Sequence, residues 1–207
     1  MKLIIVLFIL MFSSRQLLAQ TDSTAKKIVF YDDFDDNKND WNVVETKQEI
    51  GKIDGGYYYI TAKGHAYGET KIIVIDTKKD FEIEASIKLL SGGTDYKNYN
   101  SMIFWGRDSL NANYFTFAKD GFAAVSSCTG IQASSCTVYD GSLQKTNLNP
   151  DSFNKFTIRK IKRTYYFFIN DVLFYKMPFT RFFGNNIGIG AGRKSSLAVD
   201  YLRVAYL

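Results

Sequence analysis

Phe81-Glu82-Ile83-Glu84-Ala85-Ser86-Ile87-Lys88-Leu89 alternates apolar and polar residues without a break. A period of two belongs to a strand with one buried face, because successive side chains leave a pleated backbone on opposite sides. The alternation predicts Phe81, Ile83, Ala85 and Ile87 inward, and Glu82, Glu84, Ser86 and Lys88 outward. Shorter runs of the same kind occupy residues 28–31, 57–61, 71–75, 101–106, 114–118, 122–125, 153–161, 165–169, 172–175, 187–191 and 197–206. Turn signals stand between them: Asp54-Gly55-Gly56, Ser91-Gly92-Gly93, Asp120-Gly121, Asp140-Gly141, Asn170-Asp171 and Phe183-Gly184-Asn185-Asn186. Beyond residue 20 there is no helical stripe of useful length. Strands joined by hairpin turns predict an all-β chain of two antiparallel sheets packed face to face. Pro150 and Pro178 both fall in predicted connections, where a missing N–H does least harm.

The remaining composition bounds the function class. In 207 residues, 46% are hydrophobic, 16% aromatic and 23% charged, which excludes a disordered, collagen-like or polytopic membrane protein. Residues 1–20 begin with Lys2, run apolar from Leu3 to Phe12 and reach small or polar residues before Ala19. That run is half of the roughly 20 apolar residues a spanning helix needs, so it reads as a secretory signal, followed by a polar tether at 21–27 and one domain at 28–207. The expectation is an exported protein, periplasmic or extracellular, with no transmembrane anchor in the mature chain. Removing Lys2 and Arg15 lowers the formal charge from +5 to +3, with basic and acidic residues interleaved, so nucleic acid is not an expected partner. The densest basic cluster, Arg159-Lys160-Ile161-Lys162-Arg163, reads as a hairpin turn with solvated charges.

Cys128 and Cys136 form a close, even pair, which in an exported chain predicts a disulfide closing a loop. They lie in the longest irregular segment, about 126–152. A zinc site is excluded by ligand supply, since His65 is the single histidine. His65 sits in a glycine-flanked loop beside Tyr67 and has no serine elbow to serve. No phosphate-binding, dinucleotide, EF-hand or CxxC motif is present.

Several stretches resemble one family. Val29-Phe30-Tyr31-Asp32-Asp33-Phe34-Asp35-Asp36 followed by Trp41 resembles the opening strand and tryptophan of laminin-G-like and concanavalin A-like sandwich domains. Met102-Ile103-Phe104-Trp105-Gly106-Arg107-Asp108 with Asn113-Tyr114-Phe115-Thr116-Phe117 resembles that group's central strands. Phe153 to Lys160, Tyr166 to Asn170, Phe183 to Ile189 and Val199 to Val204 resemble its closing strands. The resemblance covers nearly all of residues 28–207 and implies a concanavalin A-like jelly roll. The group holds glycan-binding modules, glycoside hydrolases, 3-keto-glycoside hydrolases of the DUF1080 type and adhesion domains, so it implies no single activity.

Candidate site residues follow from strand parity. Taking Met102 and Phe104 inward sends Trp105 and Arg107 outward, and taking Phe115 and Phe117 inward sends Tyr114 outward. With neighbouring strands, Glu82, Glu84, Trp105, Arg107 and Tyr114 would share one sheet face. An aromatic plate beside planar charged groups suits a sugar ring and its hydroxyls. Glu82 and Glu84, two apart on one strand, are near the spacing of a retaining glycosidase pair. The E-x-D-x-x-E strand of laminarinase-like enzymes has no counterpart, however. The resemblance also implies a structural Ca²⁺ held by Asp33, Asp35 and Asp200 where the terminal strands meet; no cofactor is required. The expected function is non-catalytic binding of a polysaccharide or other glycan. A glycoside hydrolase resembling the 3-keto-glycoside group and a domain that docks on a cell-surface protein are the alternatives.

Overall fold

The computed structural model describes residues 26–92, 100–108, 111–130, 136–180 and 184–207; the expected signal at 1–20 lies outside them. The nine-stranded sheet, sheet A, runs β14 (Val172–Pro178), β13 (Thr164–Ile169), β12 (Asn154–Ile161), β6 (Phe81–Ser91), β16 (Ser195–Tyr206), β4 (Tyr57–Ala62), β3 (Glu49–Asp54), β2 (Val44–Glu45). The far edge of β16 is shared: Ser195–Val199 pair with β4 and Leu202–Tyr206 with β1 (Lys27–Asp32). The seven-stranded sheet, sheet B, runs β10 (Cys136–Val138), β9 (Phe122–Thr129), β8 (Asn111–Phe117), β7 (Ser101–Asp108), β15 (Asn186–Ala191), β5 (Tyr67–Ile72), with β11 (Gln144–Lys145) also on β9. Every pairing is antiparallel. The hairpin turns are set by their chemistry: Asn170 and Asp171 take φ of 51° and 64°, and Gly55 and Gly56 take 59° and 78°, the left-handed pair a two-residue hairpin requires.

The interior is aromatic. Phe117 stacks on Phe156 across the sandwich with centroids 3.7 Å apart, and Phe115 meets Phe156, Phe167 and Phe174 at 5.8, 5.4 and 5.6 Å. At the opening strand it is Asp32, not its neighbour Asp33, that turns inward. Its buried carboxylate accepts hydrogen bonds from Trp41 Nε1 and Asn39 Nδ2, both at 2.6 Å, and from the Phe34 amide at 2.9 Å. Those bonds fasten the 33–41 loop over Tyr58.

Cys128 and Cys136 are bonded, facing one another in register between β9 and β10. The irregular segment expected at 126–152 is therefore partly strand, with β9 running on to Thr129 and β10 and β11 pairing back onto it. The closed loop is short, and the chain-entropy account of cross-linking gives it about 2.5 kcal/mol. Urea unfolding with and without reductant is expected to show a loss of that size and no change of fold.

Candidate functional site

The structure divides the expected site between two faces. Strand β6, with Glu82 and Glu84, lies in sheet A, while β7 and β8, with Arg107 and Tyr114, lie in sheet B. β6 and β7, successive in the chain, are not neighbours, because β6 belongs to sheet A and β7 to sheet B. The five residues therefore do not share a surface.

On sheet A the parity read from β6 holds and the solvation does not. Glu82 and Glu84 point outward, yet their side chains are only 1% and 7% exposed. Glu82 is held by Lys26, by Arg159 through Nε and Nη2 at 2.9 and 2.6 Å, and by Arg203 at 3.4 Å. Glu84 accepts from Arg203 Nη2 at 2.7 Å, Tyr201 Oη at 2.9 Å and Thr157 Oγ1 at 3.3 Å. Burial alone would raise the Glu82 pKa, but the hydrogen bonds and charges of Lys26 and Arg159 outweigh it and hold the carboxyl below its ordinary value. A glycosidase acid needs the opposite shift. The basic cluster expected to be solvated is divided for the same reason. Arg159 lies on Glu82, and Lys160, 3% exposed, donates to the Lys79 carbonyl at 2.9 Å and faces Asp80 at 3.4 Å. Only Lys162 and Arg163 form the turn, Lys162 with φ of 53°.

On sheet B, Trp105 is a correction. It faces inward and is fully buried, its Nε1 donating to Tyr165 Oη at 3.2 Å and its ring 5.8 Å from Tyr165 and 6.0 Å from Phe167. Phe104 and Met102 take the outward frame instead, since Phe104 pairs with Tyr114 and Ile103 with the inward Phe115. The register of β7 against β8 shifts between Gly106 and Asp108. A bulge adds one residue, so Arg107 no longer shares parity with Trp105.

Two sets of residues lie on this strand pair, an aromatic pair and a polar group at its end. Phe104, 8% exposed, lies on β15 in the space a Gly188 side chain would fill, with its Cε1 2.7 Å from that Cβ position. It backs Tyr114, whose half-buried ring is 6.0 Å away at 34°. Burial, and then the Asp108 carboxylate, push the Tyr114 pKa up, so the phenol stays a donor. At the end of the strand pair the exposed Arg107 Nε lies 2.9 Å from Asp108 Oδ2, and Asn111 Nδ2 donates to Asp108 Oδ1 at 2.9 Å. Asn186 donates to the Arg107 carbonyl, fixing the bulge to β15. A ring face on one strand pair with a guanidinium, a carboxylate and an amide supplies the donor and acceptor types that polyhydroxylated ligands use. Sequence parity placed Tyr114 outward, as it stands, whereas it placed Arg107 outward in the frame that Trp105 does not keep, and Arg107 is exposed through the bulge. Parity missed Phe104, whose signal was the outward frame of β7, and Asp108 and Asn111, which flank the turn.

The acidic residues expected to hold Ca²⁺ do not fit a metal as placed. Asp33 faces Lys38 Nζ at 3.4 Å, Asp35 lies at Gly56, and Asp200 sits in the β16 bulge beside Tyr201. Among the described residues no three His, Cys, Asp or Glu side chains converge as a metal group. His65 is exposed, 3.4 Å from Glu49.

No protein-family model and no curated protein sequence matches the chain. Solved structures do. A structure described with endo-acting O-glycanases of the human gut microbiota that initiate mucin breakdown superposes with a TM-score of 0.63 at 12% identity, covering 87% of this chain and 100% of that one. The laminarinase from Rhodothermus marinus gives 0.57 at 13% identity, over 88% and 98%. The carbohydrate-binding module CBM66 from Bacillus subtilis gives 0.51 at 10%, over 86% and 96%. With the two antiparallel sheets described above, these likenesses define the fold as a two-sheet jelly-roll sandwich. At such identities the likeness is one of fold. No helix among the described residues is long and apolar enough to cross a membrane.

Proposed function

We propose that the protein is an exported, non-catalytic binding domain for a polysaccharide or other glycan, and that the ligand lies on the outward face of sheet B at the β7–β8 end. The observation that carries this reading is the half-buried Tyr114 ring, backed by Phe104 and on the same strand pair as the Arg107–Asp108–Asn111 group, whose Asp108 carboxylate acts on its phenol. A pyranose stacks its C–H face on the ring, while the planar groups take paired hydroxyl hydrogen bonds. Support comes also from solved glycan-acting and glycan-binding proteins of the same fold. Export is supported by the disulfide, a bond that persists in oxidising compartments. The hydrolase alternative is disfavoured, because the Glu82 and Glu84 carboxylates are both occupied by cations and hydroxyls of their own sheet.

A glycan array with insoluble-polysaccharide pull-down on the whole chain tests the reading. Tyr114→Ala is expected to weaken a bound glycan roughly three- to tenfold, the worth of one aromatic contact. Arg107→Ala should weaken it by a similar factor without loss of stability, since its guanidinium is largely exposed. Glycan binding untouched by both substitutions would move the site elsewhere; no binding across a broad array would remove the function.

A further inference from the structure

The outward face of sheet A carries more positive charge than its carboxylates absorb, and the surplus is interleaved with aromatic rings. Strand register sets the pattern. One row runs Lys176, Tyr166, Arg159, Glu82 from β14 to β6. The next runs Phe168, Thr157, Glu84, Arg203, Tyr31 from β13 to β1. Further along, Lys88 and Tyr59 flank the small Ala198. Lys52 and Lys155 are matched by Asp54 and Asp171. That leaves five cations, Lys26, Lys88, Arg159, Lys176 and Arg203, against the carboxylates of Glu82, Glu84, the edge residue Glu45 and the bulge residue Asp200, a surplus of one. Lys88 and Lys176 form no ion pair among the described residues.

The buried carboxylates do more than neutralise. Glu82 takes the Nε and Nη2 of Arg159, whose guanidinium carbon lies 5.2 Å from the Phe168 ring centroid. Glu84 and Glu82 together take Nη2 of Arg203 and leave its Nε buried without a partner. Guanidinium groups fixed in this way lose little side-chain freedom when an anion arrives. Fixed cations between tyrosine rings, on a sheet face with neighbouring strands about 4.8 Å apart, present charge along a line as well as in a point.

We propose that this face binds an anionic polysaccharide, one whose sugars carry sulfate or carboxylate groups. The site is separate from the Tyr114 group on sheet B and does not depend on it. Heparin, which is sulfated, and polygalacturonate, which carries carboxylates alone, are titrated into the protein at 50 mM salt. At least one is expected to bind, with affinity falling on the order of 100-fold at 200 mM as roughly four ion contacts are screened. The double substitution K88E/K176E should weaken binding at least tenfold. K47E/K78E, an equal charge change on two exposed turns, should alter it less than threefold. Tyr114→Ala should leave it unchanged, which keeps the outcome distinct from that of the sheet B site. No binding of either polymer at 50 mM salt, or equal losses from the two lysine pairs, would overturn the proposal. Tighter binding of single-stranded DNA of matched charge would overturn the choice of ligand.

Discussion

Glu82→Gln is expected to lower the unfolding free energy by about 2–3 kcal/mol, although the position reads in sequence as a solvated strand residue. The substitution keeps shape and removes the charge around which Lys26, Arg159 and Arg203 are gathered. Breaking a fully buried ion pair costs about 3–5 kcal/mol, mostly because the surviving charge is stranded. Here the three cations keep roughly a third of their side chains in water, which lowers the cost. The acid limb of the stability curve gives a second readout. With a folded pKa below the ordinary 4.5, the Glu82 contribution is complete above the unfolded value and is lost as pH falls through the lower folded one. Urea midpoints should therefore drop more steeply on acidification for the wild type than for Glu82→Gln. Parallel acid limbs, or a loss below about 0.5 kcal/mol, would show that the network is a surface arrangement of little energetic weight.

Glu82 also marks the boundary of what sequence discloses. The alternation in Phe81–Leu89 gave the face of every residue in β6, because a polar partner stands at each second position. It could not give the depth of the outward side chains, which depends on Arg159 and Arg203 arriving from β12 and β16. In β7 the parity itself was ambiguous. Met102 to Trp105 is apolar in both frames, and Arg107, the first charged residue, is the one that the bulge inserts, which shifts the count by one. The sheet to which each strand belongs was hidden for another reason: β6 and β7 stand in different sheets, and nothing in the composition between them distinguishes a change of sheet from a hairpin. Strand β5 shows the limit at boundaries. The apolar run 71–75 places it late, whereas the strand is Tyr67–Ile72 and passes through Gly68, where a side chain would strike the Gly190 backbone at 2.7 Å. Tyr114 was legible because Phe115 and Phe117 flank it in the opposite frame, and the disulfide because two cysteines have one way to pair.

Trp105→Ala is expected to cost about 3–5 kcal/mol, the range for removing a large aromatic from a packed core. The side chain is fully buried, its ring meets Tyr165 and Phe167, and its Nε1 donates to the Tyr165 hydroxyl. Removing it opens a cavity between the sheets and leaves Tyr165, itself fully buried, without that donor. Domains of this kind hold only about 5–15 kcal/mol in total, so the variant should unfold at markedly lower urea and lose ligand binding by unfolding. Trp105→Phe, which keeps an apolar ring and lacks the N–H, should retain more than half of that stability and bind as the wild type does. The pair separates two geometries that make opposite predictions. An outward Trp105 serving as a sugar plate would leave the alanine variant folded, within about 0.5 kcal/mol of wild type, and abolish binding in it. An inward Trp105 ties any loss of binding to loss of the fold, and the Tyr114→Ala variant, folded and weakened, then carries the evidence for where the ligand sits.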